Sequence, residues 1–177
     1  SNDGTIEEIK KFKKEFSNID LILRIGRRGL SGACIEGIQH SKSSYIAIMD
    51  CDLQHDEKLL LKMLNEFKYN NQLDLVIGSR HVEEGDSQKG LSYLRNLGSL
   101  YAIKLTQKLL KIKIKDPMSG FFMAKKSSVV PLLNKLQPNG FKILADILAT
   151  SRGNLITKEL GYEFKKRDFG HSKMNFS

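Results

Sequence analysis

The sequence predicts an α/β fold, a mostly parallel sheet flanked by helices. Short apolar runs alternate with stretches of helical periodicity, in the order β-α-β-α-β between residues 20 and 78. The run Tyr45-Ile46-Ala47-Ile48-Met49 has no polar face, as expected of a strand hidden on both sides of a parallel sheet. Chemistry-bearing residues gather where such strands end: Asp50 and Asp52 after one, Gly78-Ser79-Arg80 after another. Ligands of open α/β sheets bind at that edge.

Each element has its own signal. Ile6, Ile9, Phe12 and Phe16 mark a first helix, with Asp3 or Thr5 as its cap. "DLILRI" (20–25) reads as a strand. Leu30, Ala33, Cys34, Gly37 and Ile38 follow helical spacing, so 29–41 is a helix. After the 45–49 strand, Leu59, Leu60, Met63, Leu64 and Phe67 form the inward face of a helix over 56–68, and "LDLVIG" (73–78) is the next strand. Residues 81–91 read as a polar loop. A long helix follows at 92–111, with Leu97, Leu100, Tyr101, Leu105, Leu109 and Ile112 on one stripe. "SGFFMA" (119–124) is a strand. Pro131 and Pro138 bound a short helix and a turn. Residues 142–151 are helical, and 155–164 forms a strand pair or one bent strand. No repeat or linker divides the chain, so residues 1–177 read as one domain. It opens on a helix cap with no strand before it, which a doubly wound sheet normally has. The expectation is a fragment, or a chain whose first strand-helix-strand is lost.

Bulk properties narrow the class. The chain has 177 residues, 40% hydrophobic and 28% charged, which suits a globular domain with a real core. No stretch approaches the ~18 unbroken apolar residues of a membrane span. The first residues are polar, so no signal peptide is expected. Cys34 and Cys51 fit neither a metal nor a disulfide pattern. The net charge of +9 points to a polyanionic partner: nucleic acid, an anionic membrane surface or a phosphorylated substrate. It does not choose among them, and a solvated lysine-rich surface explains it as well. No nucleic-acid motif accompanies the charge, so no nucleic-acid partner is expected.

Asp50-Cys51-Asp52 is a D-x-D at a strand end. Alternate strand residues share a face, and at a bend both carboxylates can reach one hard cation. Gln54 can add an amide oxygen. The competing reading is a helix cap, with Asp52 or Asp56 satisfying the first turn of the next helix.

"MDCDLQHDE" (49–57) resembles the "MDaDLQHpPe" segment of family 2 glycosyltransferases with a GT-A (Rossmann-like) fold, most of all the dolichol- or polyprenol-phosphate mannosyltransferases and their relatives. Other matches follow in the family's order. "SNDGT" (1–5) resembles the second half of "DDGSxDGT", "RIGRRGLSGACIEGI" (24–38) resembles "R..r.GLg.A...G", and "VIGSRHVEEG" (76–85) resembles "viGSRyv.GG". "DPMSGFF" (116–122), "GFKIL" (140–144) and "RDFGHSK" (167–173) complete the set. The family's first strand, helix and second strand, which hold the nucleotide base and ribose, would precede Ser1. Cys51 replaces the usual Ala, Asp56 stands where Pro is common, and His171 replaces a Glu.

The resemblance implies roles. Asp50 and Asp52, with Gln54, would hold Mg²⁺ or Mn²⁺ against the donor diphosphate. Asp3, Arg167 and Lys173 would lie on the donor side. Arg80, Arg95 and Ser99 would grip the phosphate of the lipid acceptor, and Asp52, Arg80 and Arg95 would carry the catalytic burden. Arg95 and Ser99, four apart, share a helix face, and guanidinium groups suit bidentate phosphate binding. Asp116 is read as able to orient a neighbouring arginine. Ser119-Gly120 is either a tight strand start or a sugar contact. A lipid monophosphate is largely dianionic near neutrality, so it attacks a sugar carbon without a general base.

The implied activity is metal-dependent, inverting transfer of a hexose, mannose from GDP-mannose, to a polyprenyl or dolichyl phosphate. The site would lie on the cytoplasmic side of a membrane, with the protein held peripherally. The 92–111 stripe, beside Lys104, Lys108, Lys111, Lys113 and Lys115, would face either that surface or the core. A UDP-sugar donor (glucose or N-acetylhexosamine), a basic anion-binding domain and an inactive fragment are the alternatives.

Overall fold

A computed structural model describes residues 3–26, 29–80 and 114–165. The elements are α1 (Thr5–Glu15), α2 (Leu30–His40), β1 (Tyr45–Met49), α3 (Leu59–Tyr69), β2 (Leu75–Ser79), β3 (Phe121–Lys125), α4 (Lys126–Val129) running into a 3-10 turn (Val130–Lys135), α5 (Ile143–Thr150) and β4 (Thr157–Gly161). The expected 81–91 loop and 92–111 helix lie outside the described residues. So do Arg95, Ser99, Arg167 and Lys173.

The four described strands form one sheet in the order β1-β3-β2-β4. β2 and β4 pair in parallel, Ile77 opposite Glu159. β3 runs antiparallel to both β1 and β2, with Ile48 and Ile77 each opposite Phe122. The expected mostly parallel sheet is therefore mixed. β1 and β2 do run parallel to each other, but β3 lies between them. β3 begins at the sheet end where β2 stops and runs back between β1 and β2.

Alternation along the strands builds two cores. Leu75 and Ile77 of β2, with Phe122 and Ala124 of β3, face α2, the 126–135 segment and α5, meeting Ile38, Val129, Leu133, Ile143, Leu144 and Ile147. Val76, Phe121 and Met123 face the opposite way, onto Leu59, Met63 and Phe67 of α3. A Cβ at Gly78 would sit 3.1 Å from Leu59 Cδ2 and 3.1 Å from Phe121 Cδ1, so glycine there lets α3 close on the sheet.

Three further expectations are corrected. Residues 20–25 form no strand; they find no hydrogen-bonded neighbour in the described sheet, and Ile25 is 88% exposed. β1 is not hidden on both faces: Ile46 is buried but Ala47 is exposed, because β1 is the outer strand of the described sheet. The 56–68 helix starts later, at Leu59, after Asp56 accepts the Lys58 amide at 3.1 Å. Residues 155–164 resolve into a single strand. α1 buries none of its residues. Cys34 is half-buried, and burial pushes its thiol pKa up.

Candidate functional site

The strand directions bring four chain segments to one sheet edge. β1, β2 and β4 end there and β3 begins there. The segments are Asp50–Asp56 after β1, Arg80 after β2, Asp116–Gly120 before β3 and Tyr162–Lys165 after β4.

Asp50 leaves β1 with its amide donating to Gly120 O at 3.2 Å. Its carboxylate is 46% exposed and lies against the α-carbon of Gly120, where a Cβ would stand 2.2 Å from Asp50 Oδ2. Glycine 120 is thus a cradle for that carboxylate. Asp52 turns over Gln54, whose amide it receives at 3.2 Å. Asp52 and Asp56 therefore both close Asx turns, and α3 itself carries no side-chain cap hydrogen bond. Between them Leu53 has φ 62°, the left-handed region, although it is not glycine. Gln54 is tied at both ends to the chain after β4: its Nε2 donates to Lys165 O at 2.9 Å, and its own carbonyl accepts the Lys165 amide at 3.0 Å.

Arg80 is held from below. Its Nε and Nη2 donate to Asp116 Oδ2 and Oδ1, each at 2.8 Å, and its amide reaches Oδ2 at 3.2 Å. Asp116 is fully buried. Burial alone pushes a guanidinium pKa down, but the Asp116 carboxylate outweighs it, and Arg80 sits above its ordinary value. Glu159 of β4 fixes the turn in front of β3, accepting the Asp116 amide at 2.9 Å and the Lys115 amide at 2.8 Å. The Arg80 guanidinium carbon also lies 5.5 Å from the centre of the Phe164 ring. Ser119 proves to be a strand lock: its hydroxyl donates to Gly78 O at 2.7 Å and accepts the Phe121 amide at 3.1 Å.

His55 is the residue the sequence reading passed over. It is 7% exposed, with Nδ1 2.6 Å from the Tyr162 hydroxyl and Nε2 3.9 Å from Asp50 Oδ2. Phe121 and Phe164 meet its ring edge-on, with centroids at 5.3 and 5.4 Å. Burial pushes the Tyr162 phenol pKa up; Arg80 opposes this, and the carboxylates of Asp116, Asp50 and Asp52 add to it. The signal was in plain view, a histidine ending the D-x-D segment. Its meaning depended on Tyr162, more than a hundred residues further on.

Asp50, Gln54 and Arg80 are thus tied to one another through His55, Phe164 and Lys165. Among the described residues Asp3 has local partners only: it accepts the Thr5 hydroxyl at 2.7 Å and the Thr5 amide at 3.2 Å beside the first residue of α1. Its carboxyl pKa is lowered mainly by the Thr5 hydroxyl.

The donor set at Asp50 and Asp52 is hard oxygen, which fits Mg²⁺ or Mn²⁺. The glycine cradle keeps room for the Asp50 carboxylate without covering it. Among the described residues no group of three or more His, Cys, Asp or Glu forms a cage. A divalent ion held by Asp50 and Asp52 would complete its shell with oxygens such as the Gln54 amide oxygen, water or a bound phosphate.

Comparison with known proteins bears on the family and the fold. The model of the family "Glycosyl transferase family 2" matches residues 1–132. The dolichol-phosphate mannosyltransferase of Pyrococcus furiosus is 35% identical over 176 residues, 98% of this chain and 48% of that protein. The Mycosarcoma maydis protein of that name is 31% identical over 99% of this chain and 58% of its own length. That of Saccharomyces cerevisiae is 28% identical, with 99% and 66% covered. The chain spans roughly half to two thirds of these relatives. Glucosyl-3-phosphoglycerate synthase from Mycobacterium tuberculosis in complex with UDP superposes with a TM-score of 0.64 at 13% identity, over 99% of this chain and 59% of that one. The same enzyme with Mg²⁺ and UDP gives 0.53 at 16% identity, over 78% and 46%. At such identities the likeness speaks for the fold, the GT-A arrangement of a mixed sheet between helices. With more than half of its length matched and its acidic pair at the carboxyl edge of that sheet, the chain belongs to glycosyl transferase family 2.

Proposed function

We propose that the chain carries the catalytic site of a metal-dependent, inverting hexosyltransferase that moves mannose from GDP-mannose to a polyprenyl or dolichyl phosphate. The observation that carries this reading is the meeting, at one sheet edge, of the exposed Asp50 carboxylate, the half-buried Asp52 and a buttressed guanidinium. The names of three relatives, at 35%, 31% and 28% identity, supply the acceptor and the sugar: each is a dolichol-phosphate mannosyltransferase.

In this reading Asp50 and Asp52, with Gln54, hold the cation. When bound, the divalent ion neutralises charge building on the leaving nucleoside diphosphate. Arg80, Arg95 and Ser99 bind the acceptor phosphate, and Asp3, Arg167 and Lys173 serve the donor side. Asp116 consumes one edge of the Arg80 guanidinium and, among the described residues, leaves the Nη1 end for an anion. The acceptor oxygen, already anionic, forms its bond to the sugar carbon as the bond to the diphosphate breaks on the opposite face. The protein's task is to gather mutually repelling phosphates in line. Among the described residues no helix is long and apolar enough to cross a membrane. In this reading the basic surface meets an anionic, cytoplasmic membrane face peripherally.

A second donor has a specific observation in its favour. The solved structures that share this fold include one holding Mn²⁺ with UDP-glucose. Thermal shift with Mn²⁺ and either GDP or UDP separates the two. At a ligand concentration of 100 times Kd the stabilisation is about 2.7 kcal/mol, or ~5–10 °C in Tm for a chain of this size. EDTA or Asp52→Ala is expected to remove it, and transfer of labelled mannose to a short polyprenyl phosphate is expected to disappear with it. Stabilisation by UDP alone would replace the mannosyl donor, and a shift unchanged in Asp52→Ala would end the metal reading.

A further inference from the structure

We infer that His55 is a positioning residue for Asp50, held in one tautomer by Tyr162. The inference rests on the reading of Asp50 as a cation ligand, but its first test does not.

The Tyr162 hydroxyl is buried, and its partner among the described residues is His55 Nδ1 at 2.6 Å. A buried hydroxyl has one proton to give. If the ring donated to the oxygen, that proton would be left without an acceptor among the described residues, and a buried unsatisfied donor is costly. Donation from Tyr162 to Nδ1 satisfies both groups and puts the ring proton on Nε2. Nε2 is the atom that faces Asp50 Oδ2, 3.9 Å away. The opposite tautomer would aim a lone pair at a carboxylate. Two separate considerations, satisfaction of the phenol and the sign of the charge ahead, select the same arrangement.

The ring itself has little freedom. Phe121 and Phe164 stand edge-on to it, and Tyr162 flanks it at 5.6 Å. At 3.9 Å the contact with Asp50 is longer than a hydrogen bond, and rotation of the exposed carboxylate over Gly120 is the movement that closes it. His55 thereby biases which way Asp50 turns. Phe164 touches His55 on one side and the Arg80 cation on the other. The Asp50 and Arg80 sides of the site are therefore referenced to one ring cluster, His55 and Tyr162 buried and Phe164 half-buried.

The test has two arms. In the unliganded 177-residue chain, ¹⁵N shifts of the His55 ring are expected to show protonated Nε2 and bare Nδ1; the reverse pattern would overturn the inference whatever binds. In the second arm, Mn²⁺ is titrated by electron paramagnetic resonance in the presence of GDP or UDP. Tyr162→Phe and His55→Leu are expected to weaken Mn²⁺ binding 10–100-fold, the usual effect of losing a group that orients a ligand. His55→Gln, whose amide N–H reaches the Nε2 position, is expected to recover part of the loss. In an Asp50→Asn background the His55 substitutions should have no further effect. Wild-type Mn²⁺ affinity in both His55→Leu and Tyr162→Phe would sink the inference. Absence of Mn²⁺ binding in the wild type would instead sink the proposed function, with the tautomer still decided by the first arm.

Discussion

Asp116 receives Arg80 edge-on: Nε–Oδ2 and Nη2–Oδ1 are both 2.8 Å, and the Arg80 amide adds a third contact to Oδ2. The acid is fully buried, and the arginine side chain is 22% exposed. Such a pair is not a strong net source of stability, because desolvation consumes much of the attraction. Breaking it is costly, because a charge is left behind. Asp116→Asn is expected to lower the unfolding free energy by about 3 kcal/mol, at the low end for a buried pair. Adding Arg80→Gln to Asp116→Asn should restore part of that. Urea unfolding of both variants checks this, and equal midpoints for wild type and Asp116→Asn would show that the pair does not order Arg80.

Gly120 makes a sharper demand. A methyl group there would overlap Asp50 Oδ2 at 2.2 Å. The carboxylate is half exposed and can swing away, so the fold should survive Gly120→Ala at a cost of roughly 1–2 kcal/mol. The cation site should not survive it. The expected outcome is a cooperative melt within several degrees of wild type, with loss of the Mn²⁺-dependent nucleotide shift. A Gly120→Ala protein with a full shift would mean that Asp50 need not lie where it does.

Much of this was legible in the residues. β2 and α3 were readable because their apolar period matches the faces they bury, and the D-x-D was visible because aspartate is out of place after such a run. The direction of β3 was not readable. Phe121–Lys125 is buried nearly throughout, as a parallel strand would be, and strand residues do not encode polarity. Nor was the loss of the 20–25 strand, since a strand requires a neighbour as well as a pattern. Arg80 was found, and Asp116 was readable as able to orient an arginine; that the arginine is Arg80, 36 positions away, rests on tertiary contact. His55 needed the same kind of information: a histidine's role depends on what its two nitrogens face.

Leu53 tests whether the D-x-D turn is held under strain. Its φ of 62° costs an L-residue about 1 kcal/mol, and its side chain is 68% exposed, so little burial offsets that. Glycine relieves the strain but adds freedom to the unfolded chain, worth ~0.5–1 kcal/mol. Leu53→Gly is therefore expected to stay within about 0.5 kcal/mol of wild type. Leu53→Ile, branched at Cβ, should lose about 1 kcal/mol more. Equal stability of the isoleucine and glycine variants in urea would show that the turn relaxes out of the left-handed region.

Alkaline pH probes the buried phenol. Tyr162 is held above its ordinary value of 10.0 chiefly by burial, and Cys34 above 9.0 by burial and then by the Asp50 charge. Both groups keep their protons in the fold at pH values where the unfolded chain has released them. Their contribution is fully present below the unfolded values and is lost as pH rises through 9 and 10 toward the folded ones. Above pH 10 the Tyr162 phenol alone can steepen the decline by up to about 1.4 kcal/mol per pH unit. Tyr162→Phe removes that titration together with the His55 hydrogen bond, worth about 1 kcal/mol. The variant should be less stable than wild type at pH 8, and the gap should close between pH 10 and 11. Urea midpoints at unit pH steps give the comparison, and a gap constant up to pH 11 would show that the phenol ionises in the fold as freely as in the unfolded chain.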